Sequence, residues 1–320
     1  MTGVAAGFVH FLDRPNYEGR LVSFYRNKKP DGAGRFISEI LEWNHQKLED
    51  THDYIQWLFP LPEESMVSKA PLVNATTFSM FHCYPDLRSR LKDSFVKMLD
   101  FYGFNIADDV NENNENSTPI IIKSPNFDVR CKNWLVMTDH NHLRISRILR
   151  SLRILGLEAE AAAFHDALSD IIYSNRRQIV SSRSVEFWRR AAQRPLHWAP
   201  HLSEDACLAD NQADKNSKVG PNYLRDYEGY KLARAKQQRH DKKKALEEQK
   251  EAEFQATKAH IAALNAERKI EVGEPSPQPR ISYSRMNTDL ISVFHLDNKE
   301  SAVADVREFS PDMGGGLRRS

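Results

Sequence analysis

The sequence predicts a mainly α protein: a compact multi-helix domain that contains a helical hairpin, followed by a long charged, solvent-exposed helix and a disordered tail. Three observations lead to this fold class. Four or five segments carry apolar residues at three- and four-residue steps, the period of an amphipathic helix. The alternating pattern of strands is nearly absent. All five tryptophans lie in the first 200 of the 320 residues, and large apolar residues are sparse afterwards.

The first predicted helix covers 36–48, where one stripe is apolar. Asp50 or Thr51 is placed to cap a second short helix within DTHDYIQWLFPLPE, residues 50–63. This helix must end at Pro60, because proline disfavours helical geometry in the residue before it and has no backbone N–H to donate. The stripe of the first helix consists of Phe36, Ile37, Ile40, Leu41 and Leu48.

A third helix is predicted over 87–102, and Gly103 occupies the position where a left-handed helix cap belongs. The Asn-rich segment 105–119 has the composition of a disordered loop insertion. Residues 120–122 are apolar and predict either a short strand or an anchor that holds the loop to the core.

The strongest helical pattern begins at Thr138 or Asp139 and ends at Gly156. Another helix follows over 158–174 after a very short turn. Two helices joined so closely should form an antiparallel hairpin.

A last core helix opens at Ser182 or Ser184, runs through Ala192 and buries Val185 and Trp188. Beyond residue 200, Asn, Gln, Lys, Glu, Ser and Pro dominate, and such a composition cannot bury enough apolar surface to offset chain entropy. The predicted divisions are a folded domain at 8–200, a linker at 201–221, a charged helical segment at 222–271 and a disordered tail at 272–320.

The formal net charge of +1 excludes a uniformly basic nucleic-acid binder but hides an asymmetry. Residues 36–65 carry seven acidic residues against one lysine, a balance of −6, and residues 130–194 carry twelve basic against six acidic residues, a balance of +6. One interpretation is that the acidic and basic halves face each other in the fold or are simply solvated. The other is that they line a bipolar groove suited to a zwitterionic peptide.

The three cysteines form no CxxC motif and are odd in number, which disfavours a disulfide framework or a structural zinc site and favours a reducing compartment. The N-terminus has no basic region before its short apolar stretch, unlike a signal peptide. No window approaches the roughly 18 apolar residues of a membrane-spanning helix. We therefore expect membrane contact only from the surface or through a partner.

No catalytic constellation stands out, and we expect a protein that is not an enzyme and needs no metal or other cofactor. His140 and His142 are the strongest metal or acid–base candidates, but side chains two apart on a helix diverge by about 200°. At a helix start, His140 or Asn141 more simply satisfies free backbone donors or packs at the hairpin. Neither His165 with Asp166 nor Cys131 with a distant histidine belongs to a nucleophile motif.

Four arginines recur every third residue along the hairpin's first helix. They form a solvated face, pair with the acidic residues of the first half, or contact an anion or nucleic acid. Interleaved aromatic residues, which stacking on bases would require, are absent. The row consists of Arg144, Arg147, Arg150 and Arg153.

Residues 231–250 carry eight basic side chains, which predicts either a charged solvated helix or a nuclear import signal. The densest part consists of Arg239, Lys242, Lys243 and Lys244.

Four ordered blocks resemble the conserved region of the opioid growth factor receptor (zeta-opioid receptor) family, over about residues 20–190. DTHDYIQWLFPLPE is the most specific, and NWLVMTDHNHLRISRILRSLRILGLE at 133–158 is similar to the family's long Arg-rich helix and turn. The remaining two blocks are LVSFYRNKKPDG at 21–32 and KMLDFYGF at 97–104.

The resemblance implies a non-catalytic receptor-type protein that binds Met-enkephalin, restrains cell growth and resides in the cytoplasm, the nucleus and the perinuclear region. Such a peptide needs an apolar pocket, a carboxylate for its amine and an arginine for its carboxyl end. The alternative is an intracellular scaffold or nucleic-acid-associated nuclear protein that uses the 222–271 helix and the arginine row. The hypothetical ligand-binding residues are Asp53, Tyr54, Trp57, Arg144, Arg147 and Arg150.

Overall fold

The computed structural model describes residues 19–65, 70–107, 119–174, 179–208 and 219–271, with side chains as far as residue 265. The chain divides into two units, Met1–Lys244 and Ala245–Ser320. The described residues form twelve α-helices, one 3-10 turn and one two-stranded sheet, so the mainly α fold class is confirmed. The helices are α1 (Arg20–Tyr25), α2 (Ile37–Leu41), α3 (His45–Asp50), α4 (Ile55–Leu58), α5 (Ala75–Cys83), α6 (Pro85–Tyr102), α7 (Phe127–Arg130), α8 (Asn141–Ile154), α9 (Glu158–Ser174), α10 (Ser182–Gln193), α11 (Glu204–Leu208) and α12 (Asn222–Glu271).

The predicted helical hairpin is formed by α8 and α9, and α8 packs against both α9 and α10. Gly156 makes the turn with φ +88°, a left-handed conformation that glycine adopts without steric cost. Trp188 of α10 donates its indole N–H to the carbonyl of His142 at 2.9 Å. Helix α8 is therefore held on two sides, and its apolar face is fully buried.

Helix α6 ends at Gly103, which has φ +90° and forms the predicted left-handed cap. The chain continues into β1 (Phe104–Ile106), which pairs antiparallel with β2 (Ile121–Lys123). The apolar residues at 120–122 thus contribute to a short strand. Most of the predicted insertion, 108–118, and the predicted tail after residue 271 lie outside the described residues.

The single helix predicted over 36–48 is wrong, because the structure has two helices, α2 and α3, in this segment. The side-chain oxygen of Asn44 accepts a hydrogen bond from the backbone N–H of Lys47 at 2.9 Å. This bond makes Asn44 the N-cap of a new helix, and an N-cap residue has extended backbone geometry that interrupts the preceding helix.

The helix predicted to start after Asp50 or Thr51 is shorter than expected. Asp50 ends α3, and α4 occupies only Ile55–Leu58, directly after Tyr54. Its end before Pro60 is confirmed. Carbonyls at the end of α3 accept hydrogen bonds from Arg144 of α8, as described below.

Helix α10 is capped by Ser181, one residue before the predicted start, through a 3.2 Å bond from the N–H of Ser184 to the Ser181 hydroxyl oxygen. Four helices were not predicted, namely α1, α5, α7 and α11. In α5, Thr77 to Phe81 are all buried, so no three- or four-residue period marks the helix.

The packed core extends beyond the predicted boundary at residue 200. Leu224 in the first turn of α12 is completely buried, and the Tyr223 hydroxyl donates to the carbonyl of Val73 at 2.6 Å. The predicted linker 201–221 also contains α11. From residue 232 to 265 the side chains of α12 are exposed, as predicted for a long charged helix.

Within the described part of the chain, no helix is both long and apolar enough to cross a membrane.

Candidate functional site

A cleft of about 400 Å³ lies between α8 and the segment that carries the 50–63 motif. We call it the arginine cleft. Its large apolar lining residues, which together we call the apolar wall, are Ile55, Leu61, Leu143 and Phe187. The charged and titratable lining residues are Glu63, Glu64, Arg144, Arg147, Arg150, His52, His140 and His201. Acidic side chains from the first half thus meet basic side chains from the second half at one surface.

Helix α8 positions the arginines because a three-residue step keeps them on one side of the helix, while its apolar side faces the core. Of the four, Arg144, Arg147 and Arg150 line the cleft. Arg144 and Arg150 are only 5% and 2% exposed, so the row is not a solvated face. The row instead connects α8 to the preceding half of the chain and to the chain from α10 onward.

Arg144 connects α8 to the end of α3 through hydrogen bonds. Its guanidinium donates to the carbonyl oxygens of Leu48 at 3.1 Å, Glu49 at 3.2 Å and Thr51 at 2.9 Å. It also donates to the side-chain oxygen of Asn141 at 3.1 Å. Backbone carbonyls that the short helices leave unpaired are satisfied in this way.

Arg150 is paired with the carboxylate of Glu63, and its Nε lies 3.0 Å from one carboxylate oxygen. It also donates to the carbonyls of Leu196 at 3.0 Å and Trp198 at 3.4 Å. Planar arginine suits such two-point pairing with a carboxylate. Arg150 therefore joins α8, the end of the 50–63 motif and the chain after α10.

Arg147 differs from both neighbours. Within the described residues it makes one hydrogen bond, from Nη1 to the carbonyl of Phe59 at 3.1 Å. Burial lowers the pKa of its guanidinium to about 10, and the nearby Glu63 only partly opposes that effect. The group therefore remains charged at neutral pH, and in the described part of the chain its other donors have no hydrogen-bond partner.

The other three hypothetical ligand-binding residues do not line the cleft. Asp53 accepts from the guanidinium of Arg35 at 2.8 Å. Tyr54 and Trp57 are buried core residues, 0% and 2% exposed, and the Tyr54 hydroxyl donates to the carbonyl of Leu48 at 3.1 Å. The motif's aromatic density therefore builds the core, and its neighbours Ile55 and Leu61 face the cleft instead.

The charge asymmetry has two structural consequences. The halves face each other, since Glu49 lies 3.7 Å from Arg144 and 3.3 Å from His140, and Glu63 pairs with Arg150. They also line a common cleft, as the groove hypothesis requires. The facing of the two halves is therefore confirmed, and a groove suited to a zwitterionic peptide stays a prediction.

The two histidines of the 138–142 segment have separate structural roles. The ring of His142 is buried between the carbonyl of Trp134 at 2.7 Å and the hydroxyl of Ser184 at 3.0 Å. His140 lies beside Glu49 and near His52, with ring centroids 5.1 Å apart and the ring planes tilted by 46°. In the described part of the chain, no group of three or more His, Cys, Asp or Glu side chains is arranged to hold a metal ion. All three cysteines are free thiols.

The remaining candidates lie away from the cleft. His165 is 3.7 Å from Asp166, a carboxylate whose side chain is 79% exposed. Arg239 and the lysines at 242–244 are exposed on α12, as either interpretation of that basic stretch requires. Cys131 is half-buried after α7, and burial raises the pKa of its thiol, which opposes nucleophilic reactivity.

Sequence reasoning missed the apolar wall of the cleft. Leu143 is 69% exposed, although it lies in a helix with a continuous buried face. Its position between His142 and Arg144, outside the apolar stripe of α8, was the available signal. Phe187 and His201 come from elements far along the chain, and no pattern in the sequence connects them to α8.

A family model described as the opioid growth factor receptor conserved region matches residues 16–196, more than half of the chain. The chain belongs to the opioid growth factor receptor family. The matched region includes α1 to α10, the 50–63 motif and nearly the whole lining of the arginine cleft. The resemblance drawn from the four sequence blocks is therefore confirmed.

Three relatives illustrate how similar the family members are. The opioid growth factor receptor of Rattus norvegicus is 39% identical over 143 residues, which is 43% of this chain and 23% of the relative. That of Homo sapiens is 38% identical over 152 residues, 46% of this chain and 20% of the relative. The opioid growth factor receptor-like protein 1 of Xenopus tropicalis is 38% identical over 141 residues, 42% of this chain and 25% of the relative.

The matched part thus spans about a fifth to a quarter of the length of these curated relatives. No solved structure gave a significant match.

Proposed function

We propose that this family member is a non-catalytic, receptor-type binding protein that holds a short peptide in the arginine cleft. The observation that carries this proposal is the composition of the cleft, where an apolar wall lies beside basic and acidic side chains. Binding sites typically combine apolar surface with a few placed polar groups. The relatives' name, opioid growth factor receptor, supports an opioid peptide as the ligand to test.

A Tyr-Gly-Gly-Phe-Met peptide matches these features in kind. Its rings and thioether would pack on Leu143, Phe187 and Ile55, since burial of apolar surface supplies most of the driving force for association. Its amine would approach the exposed carboxylate of Glu64, and its carboxyl end would approach an arginine. The cleft volume of about 400 Å³ holds part of such a peptide, so the remainder would lie along the surface.

We propose no catalytic role because His140 and His142 contact structural partners or carboxylates. Both ring nitrogens of His142 lie within hydrogen-bond distance of structural partners. His140 lies among carboxylates, beside Glu49 at 3.3 Å and Asp139 at 3.5 Å, rather than beside a hydroxyl or thiol nucleophile.

By relation to the family, we propose growth regulation as the biological role, in the cytoplasm and nucleus. The exposed basic stretch of α12 supports recognition by nuclear import factors. Replacing Lys242, Lys243 and Lys244 together with alanine is expected to lower the nuclear fraction of a fluorescently tagged full chain. An unchanged distribution would argue against this signal.

Calorimetric titration of the full chain with Met-enkephalin tests the peptide proposal. We expect measurable heat and saturation by high micromolar peptide. Leu143→Glu should weaken binding at least tenfold, because it places a charge on the apolar wall while changing a side chain that is already 69% exposed.

Val96→Glu is the matched control. Val96 is also exposed, at 47%, but lies on α6 and does not line the cleft. It should bind like the unmodified chain. The absence of heat at high micromolar peptide would overturn the proposal for this ligand.

A second candidate function is that of a scaffold or nucleic-acid-associated protein acting through α12. The observation that favours it is the exposure of the basic residues between 231 and 250. The arginine row does not contribute, because Arg144 and Arg150 are buried and already paired. Salt-dependent retention on DNA that the triple lysine substitution removes would support it, and retention that is unaffected would exclude it.

A further inference from the structure

We propose that Arg147 recognises the free carboxylate at the C-terminus of the bound peptide, so that the cleft selects peptide acids over peptide amides. This inference rests on the proposed function and makes it more specific.

The three cleft arginines differ in how many of their hydrogen-bond donors are already used. A guanidinium carries five N–H donors and accepts none. Arg144 donates to four oxygens, and Arg150 to a carboxylate and two carbonyls. Within the described residues, Arg147 donates to the Phe59 carbonyl alone. Of the three cleft arginines, Arg147 therefore keeps the most donors for a ligand.

The charge of the Arg147 guanidinium also lacks a bound counter-charge among the described residues. The pKa of Arg147 is lowered to about 10 because burial removes water from a guanidinium that has no carboxylate bound to it. The nearest acid, Glu63, is already engaged by Arg150. An incoming carboxylate would supply the missing counter-charge, and arginine can bind both carboxylate oxygens at once.

The formal charge of the cleft indicates which anion it suits. The cleft lining contains three arginines and two glutamates, so its formal charge is +1 with the histidines neutral. The single negative charge of a carboxylate balances that total, whereas the two charges of a phosphate dianion exceed it. Leu143 and Phe187 beside the site suit an apolar last side chain. The ligand class is a peptide acid with an apolar C-terminal residue.

The test compares Met-enkephalin with its C-terminal amide by calorimetry on the full chain. We expect the acid to bind about 10- to 100-fold more tightly, the usual range for one charge-assisted hydrogen-bonded pair. Arg147→Met should remove that difference by weakening the acid alone. Arg147→Lys should restore only part of it, because lysine keeps the charge but not the two-point geometry.

Arg153→Met is the matched control. Arg153 lies in the same row, its pKa is also lowered by burial, and it donates to one carbonyl, that of Ala191 at 2.9 Å. It does not line the cleft. This variant should lose comparable stability and retain the preference for the acid.

The outcomes separate the two proposals. Equal binding of acid and amide to the unmodified chain would overturn the carboxylate inference and leave peptide binding intact. If neither peptide binds, the proposed opioid ligand is wrong, and N-acetyl-methionine then serves as the probe against its amide. We expect N-acetyl-methionine, but not its amide, to shift the Arg147 Nε–H resonance in NMR spectra. If neither compound shifts this resonance, the carboxylate inference is overturned.

Discussion

Single side chains decide which part of the arginine row is structural and which is available to a ligand. The three-residue spacing in the sequence predicted that these residues share one side of a helix, and partnership with the acidic half was one of the alternatives. The sequence could not show that most partners would be backbone carbonyls. Carbonyls carry no sequence signature, so the roles of Arg144 and Arg150 emerged only when the chain was folded.

Replacement of Arg144 should destabilise the fold strongly. We expect Arg144→Met to lower the free energy of unfolding by about 2–4 kcal/mol, because it removes the guanidinium donors of three carbonyl oxygens, of which, among the described residues, only that of Leu48 keeps another side-chain donor, Tyr54. Urea denaturation followed by tryptophan fluorescence measures the loss.

Arg90→Met is the control, since Arg90 forms an exposed pair with Asp93 at 3.3 Å. Its replacement should change stability by no more than about 0.5 kcal/mol. Similar small losses in both variants would contradict the role assigned to Arg144.

The helices were predictable where one face is apolar and the other polar. Helices α6, α8 and α9 have this pattern and were predicted closely. Helix α5 was missed because burial on consecutive positions removes the period, as it does in α1. The break between α2 and α3 depends on one side-chain cap at Asn44, which a pattern summed over a longer window does not reveal.

The cap of α6 provides a test at this scale. A Cβ added to Gly103 would lie 2.9 Å from both Phe127 Cα and Arg130 Cβ, in addition to adopting φ +90°. We expect Gly103→Ala to cost more than about 2 kcal/mol of folding stability.

Gly34 separates the backbone effect from the clash. It has φ +84°, but nothing lies within 4 Å of the added Cβ. Gly34→Ala should therefore cost about 1 kcal/mol, the conformational contribution alone. Equal costs at the two positions, measured by the same chemical denaturation, would show that the close approach at Gly103 is not important.

At the scale of the whole molecule, the core includes residues after position 200, although the polar composition of that region predicted that they lie outside the core. The average composition after residue 200 is polar, which correctly predicted the exposed helix but concealed the few apolar side chains at its start. Tyr227 packs on Phe78 with ring centroids 5.0 Å apart, and Leu224 is fully buried. Such isolated anchors do not alter a compositional average.

Stability should depend on pH through two histidines. Burial lowers the folded-state pKa of His82 and of His165 below the ordinary value of 6.5. As pH decreases, the two histidines therefore bind protons in the unfolded chain before they do so in the folded chain. The free energy of unfolding should fall as pH decreases below about 6.5. Well above this pH the two histidines should not affect it.

His82→Gln should reduce that dependence between pH 7 and 5.5, since glutamine does not titrate and its amide can still donate to the carbonyl that His82 contacts at Ile154. Arg88, Glu158 and Lys231 lie near His82, and their charges are the same in both chains. The exposed His240 on α12 is the control position, and His240→Gln should leave the dependence unchanged. An unaltered slope in His82→Gln would contradict the assignment.

The claim on which the functional account depends is that the arginine cleft is where the peptide binds. The most direct test is photo-crosslinking of the full chain with Met-enkephalin that carries a photoreactive phenylalanine at its fourth position. We predict labelling of Ile55, Leu143 or Phe187, removed by excess unmodified peptide. Competable labelling confined to α12 or to the exposed surface of α6, with none in the cleft, would contradict it.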